Sequence, residues 1–135
     1  MSLQNVNVVR RMVEAFNSGN PRKALANYHP DIEFTSGFTE RKTYVGLKGM
    51  REYANDLEAV WENWHSRDDR FVDAGGDRVV WLYRIVGQGK GSGVPVDQPI
   101  GIVWTPRDGA IWRGEVFLNQ RQALEVVGLE GSRDP

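Results

Sequence analysis

One stretch constrains the fold of this chain more than any other. Within residues 78–87, the run Val79-Val80-Trp81-Leu82-Tyr83 is apolar at odd and even positions alike. Side chains alternate across a strand, so both faces of this one must be covered. A strand of that kind belongs in the middle of a sheet. The neighbouring sequence supplies the rest of the sheet. A weaker strand is expected over 67–73, before the turn Ala74-Gly75-Gly76-Asp77. Two more are expected over 96–105 and 110–119, joined by the turn Pro106-Arg107-Asp108-Gly109, with a short closing helix over 121–127 ended by Gly128.

The first half reads differently. Val6, Val9, Met12, Val13 and Phe16 recur at helical spacing, with Ser2 as N-cap and Gly19 suited to the C′ position. Asn20-Pro21 starts a second helix carrying Ala24, Leu25 and Tyr28, which Pro30 stops. A short strand over 32–35 and a loop over 36–43 follow. Leu47, Met50, Ala54, Leu57, Trp61 and Trp64 then step by threes and fours, the pattern of an amphipathic helix. Helices first and strands afterwards predict an α+β domain. At 135 residues, a single domain spanning 1–135 is expected.

Composition excludes several functions. The net charge of −1 gives no electrostatic case for nucleic acid or an anionic membrane. No Cys is present, which removes disulfides, thiolate metal sites and thiol nucleophiles. The only two histidines, His29 and His65, do not stand at ligand spacing, so neither a metal nor a cofactor is expected. The first five residues lack the basic and apolar regions of a signal peptide, so a cytoplasmic protein is expected. The loop Gly89-Lys90-Gly91-Ser92-Gly93 joins two strands instead of opening a helix, and reads as a hairpin loop, not a phosphate cradle.

A pocket is suggested by glycine. If Thr105 opposes Ala110, then Val103 opposes Trp112 and Gly101 opposes Gly114, two glycines side by side on the helix-facing side of the sheet. Flanked by Trp81, Tyr83, Val103 and Trp112, they describe either an aromatic-walled hollow or a sheet kink filled by a helix side chain. On the same reading, Ile100, Ile102, Trp104, Ile111 and Phe117 form an apolar outer face, around Arg84, Arg113 and Glu115. That face predicts a homodimer.

The segments 8–20, His29-Pro30-Asp31-Ile32-Glu33-Phe34, 46–53 and Asp108-Gly109-Ala110-Ile111 together resemble the SnoaL-like branch of the nuclear-transport-factor-2-like superfamily. The resemblance spans nearly the whole chain. It implies a cone, with three helices packed into a strongly curved mixed sheet, a pocket inside and a homodimer across the sheet. The superfamily includes ketosteroid isomerases, polyketide cyclases, epoxide hydrolases and non-catalytic binders. Positions matching the isomerase base and oxyanion donors are Ser36, Met12 and Gly101, which carry none of those groups. The cyclase acid/base position falls near Val116, with Glu115 on the other face.

The sequence therefore predicts a domain that binds a small hydrophobic molecule. Met12, Phe16, Phe34, Ser36, Tyr53, Leu57, Trp81, Tyr83, Gly101, Val103, Trp112, Gly114 and Val116 are its expected lining. The alternatives are a cofactor-independent isomerase, cyclase or hydrolase using Tyr83 or Tyr53 with Asp97, and a non-catalytic dimerisation module.

Overall fold

The computed structural model describes residues 2–129, apart from the side chains of Ser2 and Thr39, so the expected Ser2 cap lies outside the described residues. Helix α1 spans Ser2–Phe16 and buries Val8, Val9, Met12 and Val13. Gly19, at φ +93°, takes the left-handed conformation that releases the chain. The Asn20 side chain then accepts the Arg22 amide at 3.0 Å, capping a 3-10 helix at Pro21–Asn27. Strand β1, Tyr28–Ser36, begins earlier than expected. Pro30 drives His29 into extended backbone, and a register shift between Tyr28 and Glu33 absorbs the irregularity.

Two expectations fail in the next segment. The presumed loop contains a 3-10 turn, Gly37–Thr39, and a strand, β2, Lys42–Val45, paired antiparallel to β1. Helix α2, Gly46–Val60, buries Met50, Tyr53, Ala54 and Leu57 as its spacing predicts, but stops at Val60. Trp61 and Trp64 lie on β3, Trp61–Gly75. The helical spacing runs on past Val60, but pairing with β4, Arg78–Gly89, wins. Left-handed Asn63 and Asp68, at φ 56° and 58°, sit at two irregularities of that ladder. Gly87 faces the first; a Cβ there would stand 2.8 Å from the Trp64 Cβ.

Strand β5, Pro95–Arg107, and β6, Ala110–Phe117, complete a six-stranded mixed sheet in the order β2-β1-β6-β5-β4-β3. Among the described strands, only β1 and β6 pair in parallel. The sheet is curved and open, and α1, the 3-10 helix at Pro21–Asn27 and α2 pack on its concave side. Trp81, Tyr83, Ile102, Trp104 and Phe34 join Met12, Met50 and Leu57 in the main core. Helix α3, Gln120–Val126, covers the opposite face, where Val80, Leu82, Val103 and Phe117 pack on Ala123 and Val127. This explains why β4 is apolar on both sides. No helix among the described residues is long and apolar enough to cross a membrane.

The hairpin between β5 and β6 corrects the expected register. Its turn is two residues, Asp108-Gly109, at φ 55° and 79°, closed by Arg107 opposite Ala110. Positive φ at both positions is the hairpin geometry that matches strand twist. Thr105 then opposes Arg113 while Pro106 opposes Ile111, leaving Trp112 as the extra residue of a bulge. Past the bulge, Gly114 opposes Trp104, and Gly101 opposes Phe117. The glycines therefore lie on opposite faces. One extra residue reverses every side chain beyond it.

Candidate functional site

The concave face closes around a cavity lined by Met12, Phe16, Tyr28, Phe34, Phe38, Tyr53, Leu57, Trp61, Trp81, Tyr83, Ile85, Ile102 and Trp104. Nine of these thirteen are aromatic, and none carries a formal charge. Its volume is about 20 Å³, the space of a single water. Phe16, Tyr28, Phe38 and Trp61 are half-buried and form the side nearer solvent. Phe38 meets Trp61 edge-on at 5.1 Å.

Seven of the expected residues line this cavity: Met12, Phe16, Phe34, Tyr53, Leu57, Trp81 and Tyr83. Val116 is buried in the surrounding core. Ser36, expected in the lining, is fully buried; its hydroxyl accepts the Phe38 amide at 3.2 Å and is hydrogen-bonded to Tyr53. Gly101 and Val103 lie on the other face: a Cβ at Gly101 would stand 2.6 Å from the Ala123 Cβ, under α3. Trp112, turned out at the bulge, lies between the guanidinium groups of Arg107 and Arg113, at 4.5 and 3.8 Å.

Gly114 does face inward, yet it marks no hollow. The Trp104 and Phe34 rings cross over it, stacked at 5.3 Å with planes 12° apart. A Cβ there would come within 2.4 Å of Trp104 Cζ3 and 2.7 Å of Phe34 Cδ1. The space at Gly114 is filled, not by a helix side chain but by these two strand residues. The same reversal moves Ile100, Ile102, Trp104 and Ile111 from the expected outer patch into the core. Phe117 goes beneath α3.

Tyr28, Phe38, Trp61, Ile85, Ile102 and Trp104 were not expected in the lining. Ile102 and Trp104 were assigned by alternation to the wrong face. The two-residue Asp108-Gly109 turn was a legible signal against that register; the bulge at Trp112 was not.

Three phenols supply much of the cavity's polarity. Burial pushes the hydroxyls of Tyr28, Tyr53 and Tyr83 above the ordinary tyrosine range, opposed at Tyr53 by its hydrogen bond with Ser36. They therefore remain protonated near neutral pH. Trp81 stacks on Tyr83 at 3.7 Å and donates its Nε1–H to Asp69 at 2.8 Å. Trp104 Nε1 is buried without a hydrogen-bond partner among the described residues. Asp97 stands away from this cluster, on the exposed rim. It accepts from Arg84 at 2.7 Å and Arg67 at 3.3 Å. The hydrogen bond from Arg84 holds its carboxyl below the usual range. The expected Tyr–Asp97 pair is not assembled. His29 accepts the Asp31 amide on Nδ1 at 3.0 Å, a local turn contact.

Solved structures with this architecture come from several sources. A putative polyketide cyclase from Xanthomonas campestris superposes with a TM-score of 0.76 at 21% identity, covering 94% of this chain and 98% of that one. TerC, co-crystallised with polyporic acid, gives 0.75 at 22% identity, covering 92% and 98%. A Catenulispora acidiphila protein with a ketosteroid isomerase-like fold, in complex with trimethylamine, gives 0.73 at 20% identity, covering 95% and 97%. At these identities the likeness is one of fold. None of the curated proteins matches the sequence. The SnoaL-like domain model matches residues 9–114, and with the cone of helices and curved sheet around it, the chain belongs to the SnoaL-like domain family.

Proposed function

We propose that this domain binds a small, flat, uncharged and mainly apolar molecule between α1, α2 and the concave sheet. The observation that carries the reading is the lining itself: aromatic on most sides, free of charged side chains, with three protonated phenols among the rings. Such a site favours apolar area and orients it with few polar contacts. An anion buried there would lack a compensating cation. A ligand larger than water enters by displacing the half-buried Phe16, Tyr28, Phe38 and Trp61. The neighbours crystallised with polyporic acid and with trimethylamine hold different molecules, so the lining, not the fold, must select the ligand.

Native mass spectrometry of the purified protein, before and after organic extraction, tests for a retained molecule. Quenching of tryptophan fluorescence by naphthalene tests the apolar site directly. Saturable quenching at one molecule per chain is expected. Its absence, together with an unliganded mass, overturns the reading.

A second reading, a cofactor-independent isomerase, cyclase or hydrolase, is favoured by one contact. Asp69 accepts the Trp81 indole proton, and its charge reaches Tyr83. A carboxylate held one indole ring away from a buried phenol is a candidate acid/base pair. Turnover of an enone, a polyketide-like ketone or an epoxide, lost in Asp69→Asn, would establish it.

The homodimer forms part of the proposal on changed grounds. Its surface would be the trough of Glu33, Thr35, Thr105, Arg113 and Glu115, beside exposed Leu118 and Val126. An interface of that chemistry weakens with salt, which sedimentation in low and high salt tests.

A further inference from the structure

Trp104 holds a polar atom that the fold itself leaves unused. The residue is 2% exposed, and its Nε1–H has no acceptor among the described residues. Buried donors without partners are uncommon and call for an explanation. Packing explains the ring: it stacks on Phe34 and fills the space above Gly114. Packing does not explain the N–H. The indole edge carrying Cε3 and Cζ3 rests on Gly114. By the covalent geometry of indole, the edge carrying Nε1 is turned away from β6. Trp104 also lines the cavity, as do Tyr28 and Tyr83. Trp81, its counterpart on β4, has its own N–H satisfied by Asp69.

We infer that Trp104 is the polar anchor of the pocket, and that its indole N–H donates to a hydrogen-bond acceptor atom in or on the ring system of a neutral, flat ligand. This rests on the proposed binding function and deepens it by naming the ligand class. An indole N–H can only donate. A hydrocarbon leaves it unsatisfied, and a ligand presenting a donor at that end meets another donor. The Tyr28 and Tyr83 hydroxyls donate or accept, so they tolerate either kind of group and do not discriminate. Trp104 does.

Naphthalene and isoquinoline test this, because they share one shape and differ by a single acceptor nitrogen. Titrations at pH 8, where isoquinoline is neutral, are made with the wild-type chain and with Trp104→Phe. The variant keeps an aromatic ring to stack on Phe34 and loses the N–H. The ratio of isoquinoline to naphthalene affinity is expected to fall about five- to tenfold in the variant, naphthalene reporting whatever the smaller ring costs both molecules alike. The indole N–H resonance of Trp104, identified by Overhauser contacts with Phe34, is expected to move downfield with isoquinoline and not with naphthalene. This measurement uses the wild-type chain and decides the matter even if Trp104→Phe does not fold. If both molecules bind, the ratio is unchanged and the resonance does not shift, the inference is overturned, the pocket stands, and the N–H serves a buried water only. If neither binds, the inference and the binding function fall together.

Discussion

Adding one methyl group at Gly114 should destabilise the fold. Gly114 has no left-handed backbone requirement, so Gly114→Ala introduces no torsional strain. Restricting the unfolded chain would by itself favour the folded state by about 0.4–1 kcal/mol. Against this, the new Cβ would lie 2.4 and 2.6 Å from Trp104 Cζ3 and Cε3, and 2.7 Å from Phe34 Cδ1. Both rings are at most 2% exposed, so neither can swing into solvent. Overpacking of this kind costs about 1–3 kcal/mol, and the net expectation is a loss of about 1–2 kcal/mol. For a domain of this size the melting temperature should fall by roughly 3–8 °C. Urea denaturation followed by circular dichroism, with an unchanged slope, measures it. A double-mutant cycle with Trp104→Phe should give a favourable coupling, since the smaller ring releases part of the clash. An unchanged or raised melting temperature for Gly114→Ala would refute the reasoning and restore the hollow first suggested by the two glycines.

Further expectations concern the other face, the phenols and the rim. Gly101→Val should loosen α3, because a side chain there meets Ala123 at 2.6 Å; limited proteolysis should cut after β6 sooner, and Ala123→Gly should restore protection. Raised folded-state values for Tyr28, Tyr53 and Tyr83 mean that the unfolded chain loses these protons first as pH rises. Their contribution to stability is complete below the unfolded tyrosine value of about 10 and declines above it. Tyrosinate absorbance from the three should thus appear together with alkaline unfolding; titration of all three in the folded state near pH 10 would contradict their burial. Asp97 shows the opposite sign: its depressed value makes the Arg84 contact stabilising above the unfolded carboxylate range, and the benefit disappears as pH falls through the folded value. The exposed pair should contribute little, so Asp97→Asn should shift the denaturation midpoint slightly at pH 7 and not at pH 2.

The sequence made the elements easier to read than the faces. The apolar stripes of α1 and α2 put Met12, Phe16 and Leu57 on faces that pack into or against the core, because helical periodicity fixes a face without reference to any partner. The run through Trp81 and Tyr83 identified β4 for a similar reason: apolar residues at both parities need cover on both sides, and α1 and α3 supply it. The strand faces of β5 and β6 depend on a partner, and there the reading failed. The turn, placed two residues too early, shifted the pairing without changing faces; the extra residue at Trp112 exchanged Ile102 and Trp104 for Gly101 and Val103. Trp61 failed differently. Its spacing continues the α2 stripe, and only long-range pairing with Gly89 takes it into β3.

Bulges also decide what the site contains. On β3, the shift between Arg67 and Arg70 accompanies left-handed Asp68, and beside it Asp69, though exposed as a residue, accepts the Trp81 proton. On β6, the extra residue at Trp112 turns that indole out between two arginines and sets Gly114 beneath Trp104. One irregularity satisfies an indole N–H of the cavity wall; the other lets a second indole lie flat with its N–H unsatisfied. In a regular ladder without the Trp112 bulge, residue 113 would take the inward position opposite Trp104, and Arg113 would displace its ring. The unpaired donor in the pocket is thus a consequence of strand register, set by a two-residue turn and one inserted residue some distance from it.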